Sequence, residues 1–189
     1  MTATRAPGVI IASLAIAMAS CAASTSNQSG SATQSEVIGV TPAQQTPLVL
    51  SLDGLDGRPV DIATFRGRAV LLIAFFMDDL PSQGILRHAE RLARELGDDI
   101  AVLAISGDRQ PYRMHRDMAQ IWARVNELQR TQILLADDSV RDGSSPLGEI
   151  EAVPTTFLVN RAGIVARRVQ GYQDYTALRA LVAPALPRH

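Results

Sequence analysis

Val153-Pro154-Thr155-Thr156-Phe157-Leu158-Val159-Asn160-Arg161-Ala162-Gly163-Ile164 reads as a strand, a tight turn and the start of a second strand. Thr, Val and Phe suit a pleated, half-buried surface, so 155–159 is expected to be extended. Asn160 to Gly163 supplies turn chemistry, and the apolar pattern resumes from Ile164 to Val169, giving a hairpin. Pro154 stands where a proline is tolerated, at the start of a strand.

Upstream, Ala69 to Phe76 is a continuous apolar run, as a central strand buried on both faces requires. Leu48 to Leu52 reads as a strand, with turns at Asp53-Gly54 and Asp56-Gly57. Ile100 to Ile105 and Ile133 to Leu135 complete the buried strands, the latter ending at Asp137-Asp138. Between them lie helices. One opens at Pro81-Ser82, carries Ile85, Ala89, Leu92 and Leu96 on one face and stops at Gly97. A second opens at Pro111, with Met114, Met118, Ile121, Trp122, Val125 and Leu128 on one side. Met114, Met118 and Trp122 are expected in the core. A last helix is capped by Asp174 and runs through Ala183. Strands alternating with helices, closed by a hairpin, predict an α/β domain: a central mixed sheet with helices on both faces.

The chain resembles the TlpA-like/redoxin (AhpC/TSA-type) branch of the thioredoxin superfamily. The resemblance rests on four segments: 56–67 (DGRPVDIATFRG), the run 69–76, the strand 133–138 ending in aspartate, and above all 153–164. It covers about residues 48–185 and implies a thioredoxin-like fold. It also implies a cis bond before Pro154 and a groove lined by Val153, Pro154 and Thr155. Family chemistry uses C-x-P-C at the end of the central strand, where a helix N-terminus stabilises the attacking thiolate. Gap-free counting places Asp79-Leu80-Pro81-Ser82 on that motif; a shift of one places Leu80-Pro81-Ser82-Gln83 there. Both registers lack sulfur, and Ser82 falls where a peroxidatic cysteine would lie. Serine has no accessible anion near neutral pH and forms no reversible bond to sulfur, so catalytic residues of the redox type are expected to be absent.

Other chemistry is poorly supported. Ser82 with Asp79 and His88 does not make a nucleophilic triad, because His88 is not on the same helical face as Ser82. A helix-capping serine and a surface histidine account for both. Asp78, Asp79, Asp137 and Asp138 are read as caps and turn residues rather than metal ligands. Three histidines, His88, His115 and His189, are too scattered for a zinc site, and neither metal nor cofactor is expected. All 18 basic residues are arginine, which excludes lysine-based covalent catalysis. A net charge of −1 gives no reason to expect nucleic-acid binding.

The N-terminus reads as an address. Residues 1–20 resemble a secretion signal: Arg5, then the apolar run Val9 to Met18, too short to span a bilayer, which needs roughly 20 apolar residues. Met18-Ala19-Ser20-Cys21 resembles a bacterial lipobox, so Cys21, the one cysteine of the chain, is the expected lipidation site. Ala22 after it favours the outer membrane, with the domain facing the periplasm. Residues 21–46 form a Ser/Thr/Ala/Gln linker, and 47–189 the folded domain. The expected activity is binding: a redox-inactive envelope lipoprotein that holds a protein or peptide partner in the old active-site groove. The alternative is a thiol-disulfide oxidoreductase that works with partner thiols.

Overall fold

The computed structural model describes residues 36–38, 46–109 and 111–187. Residues 1–20, Cys21 and most of the expected linker lie outside them. Eight strands form one sheet: β1 Glu36–Ile38, β2 Ser51–Gly54, β3 Pro59–Asp61, β4 Ala69–Phe75, β5 Ile100–Ser106, β6 Thr131–Leu135, β7 Thr155–Val159 and β8 Val165–Gln170. Their order is β1-β8-β7-β4-β5-β6-β2-β3. The helices are α1 Leu80–Leu96, α2 Tyr112–Val125, α3 Asp138–Arg141 and α4 Tyr175–Val182.

β4 lies at the centre because it is apolar at every position and every residue is buried. Each such Leu or Ile contributes about 1.5–3 kcal/mol on full burial. β4 runs parallel to β5 and antiparallel to β7, so the sheet is mixed. Successive residues of β4 point to opposite faces. Leu71, Ile73 and Phe75 pack with α1, α4 and Ala119 of α2. Val70 and Leu72 face the other way, against Leu48, Leu50, the 3-10 turn at Ile62 and Val140 of α3. Helical segments therefore cover both faces, the three long ones on a single side.

Glu90 anchors α1 to the start of β6. It is almost fully buried. Its carboxylate accepts from the amides of Gln129 (3.1 Å), Arg130 (3.0 Å) and Thr131 (2.8 Å) and from Nε of Arg94 (3.0 Å). Burial works against its charge, but the Thr131 side chain and these amides outweigh it and hold the carboxyl below its ordinary range.

Three expectations need correction. The first strand is Ser51–Gly54, not Leu48 to Leu52: Leu48 and Leu50 are buried but lie ahead of the strand. Part of the expected linker is paired, with Glu36, Val37 and Ile38 opposite Gln170, Val169 and Arg168. Thirdly, Met114, Met118, Ile121 and Val125 are 45–75% exposed. The buried residues of α2 are His115 and Ala119, with Trp122 partly buried and stacked on Phe75. Ala119 brings the helix close to the sheet, and His115 is held there through its Nε2, 2.7 Å from Ser106 Oγ. The larger apolar stripe is thereby rotated outward. Periodicity identifies a stripe but not the side on which the sheet lies.

Candidate functional site

In register, Phe75, Ser106 and Leu135 end β4, β5 and β6 side by side, and Thr155 opens β7 opposite Ala74. The segments that leave this end of the sheet bring 76–82, 107–109, 136–141 and 153–154 together. Met77 pins the first of them. Its amide donates to the Asp108 carboxylate (3.3 and 3.4 Å), and its carbonyl accepts from Gln83 Nε2 (3.0 Å) and Trp122 Nε1 (3.1 Å).

Asp79 is the N-cap of α1, its carboxylate accepting from the Ser82 amide at 2.8 Å. Leu80, Pro81 and Ser82 make the first turn. The cap is thus Asp79, not the serine expected from sequence: Ser82 is fully buried and its hydroxyl has no partner. Where the resemblance places a thiolate on the helix N-terminus, this chain supplies a fixed carboxylate that takes the donor itself. Leu80 beside it is 75% exposed.

The Val153–Pro154 peptide bond is cis. The carbonyl of Pro154 accepts from the Gly171 amide (2.8 Å). Thr155 is buried, pairs with Ala74 on one side and Gln170 on the other, and its hydroxyl donates to the Ala152 carbonyl (2.6 Å). Of Val153, Pro154 and Thr155, only Val153 reaches the surface. Tyr172 follows and lies on α1: a Cβ at Gly84 would sit 2.9 Å from its ring. Its hydroxyl is 2.8 Å from His88 Nε2, so His88 is held by Tyr172 and not by Ser82 or Asp79. Asp137 caps α3 through the Val140 amide (3.0 Å), and Asp138 pairs with Arg141 (3.3 Å). Among the described residues no group of three or more His, Cys, Asp or Glu is placed to hold a metal ion.

A cleft of about 100 Å³ opens at this end of the sheet. Phe76, Ile105, Val140, Ile150 and Val153 wall it, and among the described residues that line it Arg109 and Arg141 are the charged ones. Gly107 is required beside Phe76, since a Cβ there would lie 2.7 Å from the ring. Arg141 gives one guanidinium nitrogen to Asp138, while its Nε is buried without an acceptor. Two arginines lining an otherwise apolar cleft suit a ligand that brings a negatively charged oxygen.

One polar cluster was not anticipated from sequence. Ser106 Oγ donates to Asp108 (2.6 Å) and lies 2.7 Å from His115 Nε2. With its proton committed to Asp108, Ser106 must accept from Nε2–H, so His115 Nδ1 is the bare nitrogen, and it has no partner. Burial lowers the His115 pKa below its ordinary value of 6.5; Asp108 opposes this and Arg141 adds to it. The order is histidine to serine to aspartate, the reverse of proton flow in a nucleophilic triad, and both Ser106 and His115 are fully buried. The cluster secures α2 to the end of β5. Each residue type was visible, but nothing in sequence spacing shows that His115 comes to lie beside Ser106.

No protein-family model and no curated protein matches the chain. Solved structures do. A thiol:disulfide interchange protein of the thioredoxin family from Chlorobium tepidum is 16% identical with a TM-score of 0.64, the match covering 78% of this chain and 100% of that one. A DsbF homologue from Corynebacterium diphtheriae is 18% identical with a TM-score of 0.62, covering 83% and 98%. The pneumococcal exposed lipoprotein thioredoxin of Streptococcus pneumoniae is 16% identical with a TM-score of 0.60, covering 72% and 98%. At these identities the likeness is one of fold. The chain has a thioredoxin-like α/β fold, shared with thiol:disulfide oxidoreductases, and none of the motif cysteines.

Proposed function

We propose that this protein is a binding member of the thioredoxin fold, held to the bacterial envelope by a lipid on Cys21, that captures an extended segment of an envelope protein at the end of its sheet. The observation that carries the reading is the cleft, with its apolar walls and the arginines Arg109 and Arg141 lining it. The segment would place an apolar side chain against Phe76, Ile105 and Val153 and a neighbouring carboxylate on Arg109 and Arg141. Exposed Leu80 and Tyr172 extend the same surface with apolar contact. The reading needs no sulfur. Thiol exchange does, and the first turn of α1 offers Asp79, Leu80, Pro81 and Ser82 instead.

Support for the location is the Met18-Ala19-Ser20-Cys21 tetrad and the fold likeness to an exposed lipoprotein thioredoxin. No helix among the described residues is long and apolar enough to cross a membrane. Export followed by Cys21→Ala release of the chain from membranes checks the anchor.

The test of function is a photo-crosslinking residue at Leu80 in the native host, with Arg58 as an exposed control, followed by mass spectrometry of the adducts. Ser82 is unsuitable because it is buried. A discrete protein adduct, reduced at least fivefold by Arg141→Gln or Phe76→Ala, supports capture. Adducts at Arg58 but none at Leu80 would show this end of the sheet to be idle.

A further inference from the structure

The outward stripe of α2 lies away from the cleft residues and has a pattern of its own. Met114, Met118, Ile121 and Val125 are spaced four, three and four, the seam of a heptad repeat, and all are exposed. In heptad terms Met118 and Val125 are a positions, and Met114 and Ile121 are d positions. The flanking g positions are Asp117 and Arg124, also exposed. The other flank, His115 and Trp122, turns toward the protomer's own sheet.

This arrangement is self-complementary in one orientation. In an antiparallel pair of helices each a residue layers against a d residue of the partner, and g faces g. With α2 paired to a copy of itself, Met118 layers against Ile121 of the second copy and Met114 against Val125. The g residues beside the central layers are then Asp117 against Arg124, twice, by symmetry. Parallel pairing would not bring these two together. Asp117 lies 3.9 Å from Arg116 of its own helix, and with Arg113 and Arg124 the helix would also suit an anionic lipid surface; that occupant predicts no recovery in the mixed charge pair below.

We infer that the chain forms a two-fold symmetric dimer through antiparallel α2–α2 contact, with Asp117–Arg124 pairs on both sides of a Met118/Ile121 centre. The inference is independent of the cleft reading. A dimer of this kind places two binding ends on one assembly, so partners with repeated segments bind with higher effective concentration.

The test uses two tagged copies of the full chain co-expressed in one cell, with co-capture after detergent extraction as the readout. Parent copies should co-purify. Asp117→Arg in both copies, or Arg124→Asp in both, should lower co-capture at least tenfold, since each creates two like-charge contacts. One copy with Asp117→Arg and the other with Arg124→Asp should restore it to near the parent level, because all pairs are opposite again. Circular dichroism of each single variant confirms folding. Absent co-capture by the parent, insensitivity to the single changes, or failure of the mixed pair to recover would each overturn the dimer.

Discussion

The ring of Tyr172 occupies the space above Gly84 where a Cβ would stand, 2.9 Å away, and its hydroxyl meets His88 at 2.8 Å. Glycine in a helix interior costs about 1 kcal/mol relative to alanine. Here that cost buys the approach of an aromatic ring to α1. Gly84→Ala should therefore expel Tyr172, lose the His88 bond, worth about 1 kcal/mol, and leave net stability within about 1 kcal/mol of the parent. The double change Gly84→Ala with Tyr172→Ala removes the clash and should melt higher than Gly84→Ala with Tyr172 retained. Thermal melts of the four proteins of this cycle measure the coupling directly.

Glu90 predicts acid sensitivity. Its carboxyl is held below its ordinary value of 4.5 in the folded state. The stability it contributes is therefore present above about pH 4.5 and is lost as pH falls through the lowered folded value. Glu90→Gln puts an amide against the donors of residues 129–131 and should cost about 3 kcal/mol at pH 7. Urea unfolding at pH 7 and pH 3.5 checks both: the difference between parent and variant should shrink at the lower pH.

His115 acts in a different window. Its folded pKa lies below 6.5, so the unfolded chain takes up the proton first. Stability should fall as pH drops below about 6.5, with a slope of at most about 1.4 kcal/mol per pH unit for one proton. His115→Gln should be less stable at pH 7.5 and should show a flatter dependence between pH 7 and 5. An unchanged slope would show that His115 does not govern that window.

The first turn of α1 keeps the geometry of a dithiol site without the sulfurs. Asp79→Cys with Ser82→Cys places thiols at the N-cap and third helical positions. The pair should oxidise to a disulfide and reduce insulin in a coupled assay, while the parent shows no turnover above background. Loss of the Asp79 cap should cost about 1 kcal/mol, visible as a lower melting temperature of the reduced double variant.

The central strands β4 and β5 were legible because they are written in apolar runs, and the β7–β8 hairpin because the 160–163 turn is written in Asn and Gly; the short strands β1 and β3 carry no such run. Those signals are local. The motif position rests on counting from the resemblance alone; what the structure shows at Asp79 to Ser82 is the capped first turn of α1. The orientation of α2 was not, since Met114 and Trp122 belong to one amphipathic face and only the sheet decides which part turns inward. Arg109 and Arg141 escaped notice because the segment after β5 and the short helix α3 bring them to one cleft. Glu90 escaped notice because a carboxylate in an amphipathic helix reads as solvated until the amides of residues 129–131 are seen to point at it. Thr155, read as lining a groove, is consumed by the sheet on both sides.

Glu36–Ile38 alters what a trimmed version of this protein would be. Composition sets the start of the folded part at residue 47, yet a chain cut there loses β1 and bares the outer backbone of β8. Unpaired donors and acceptors along Arg168, Val169 and Gln170 then form a template for strands from other molecules. With β1 present the edge of the sheet is a strand of three residues; without it the edge is the six residues of β8, and solubility should drop when the cut is moved from before residue 36 to after residue 38.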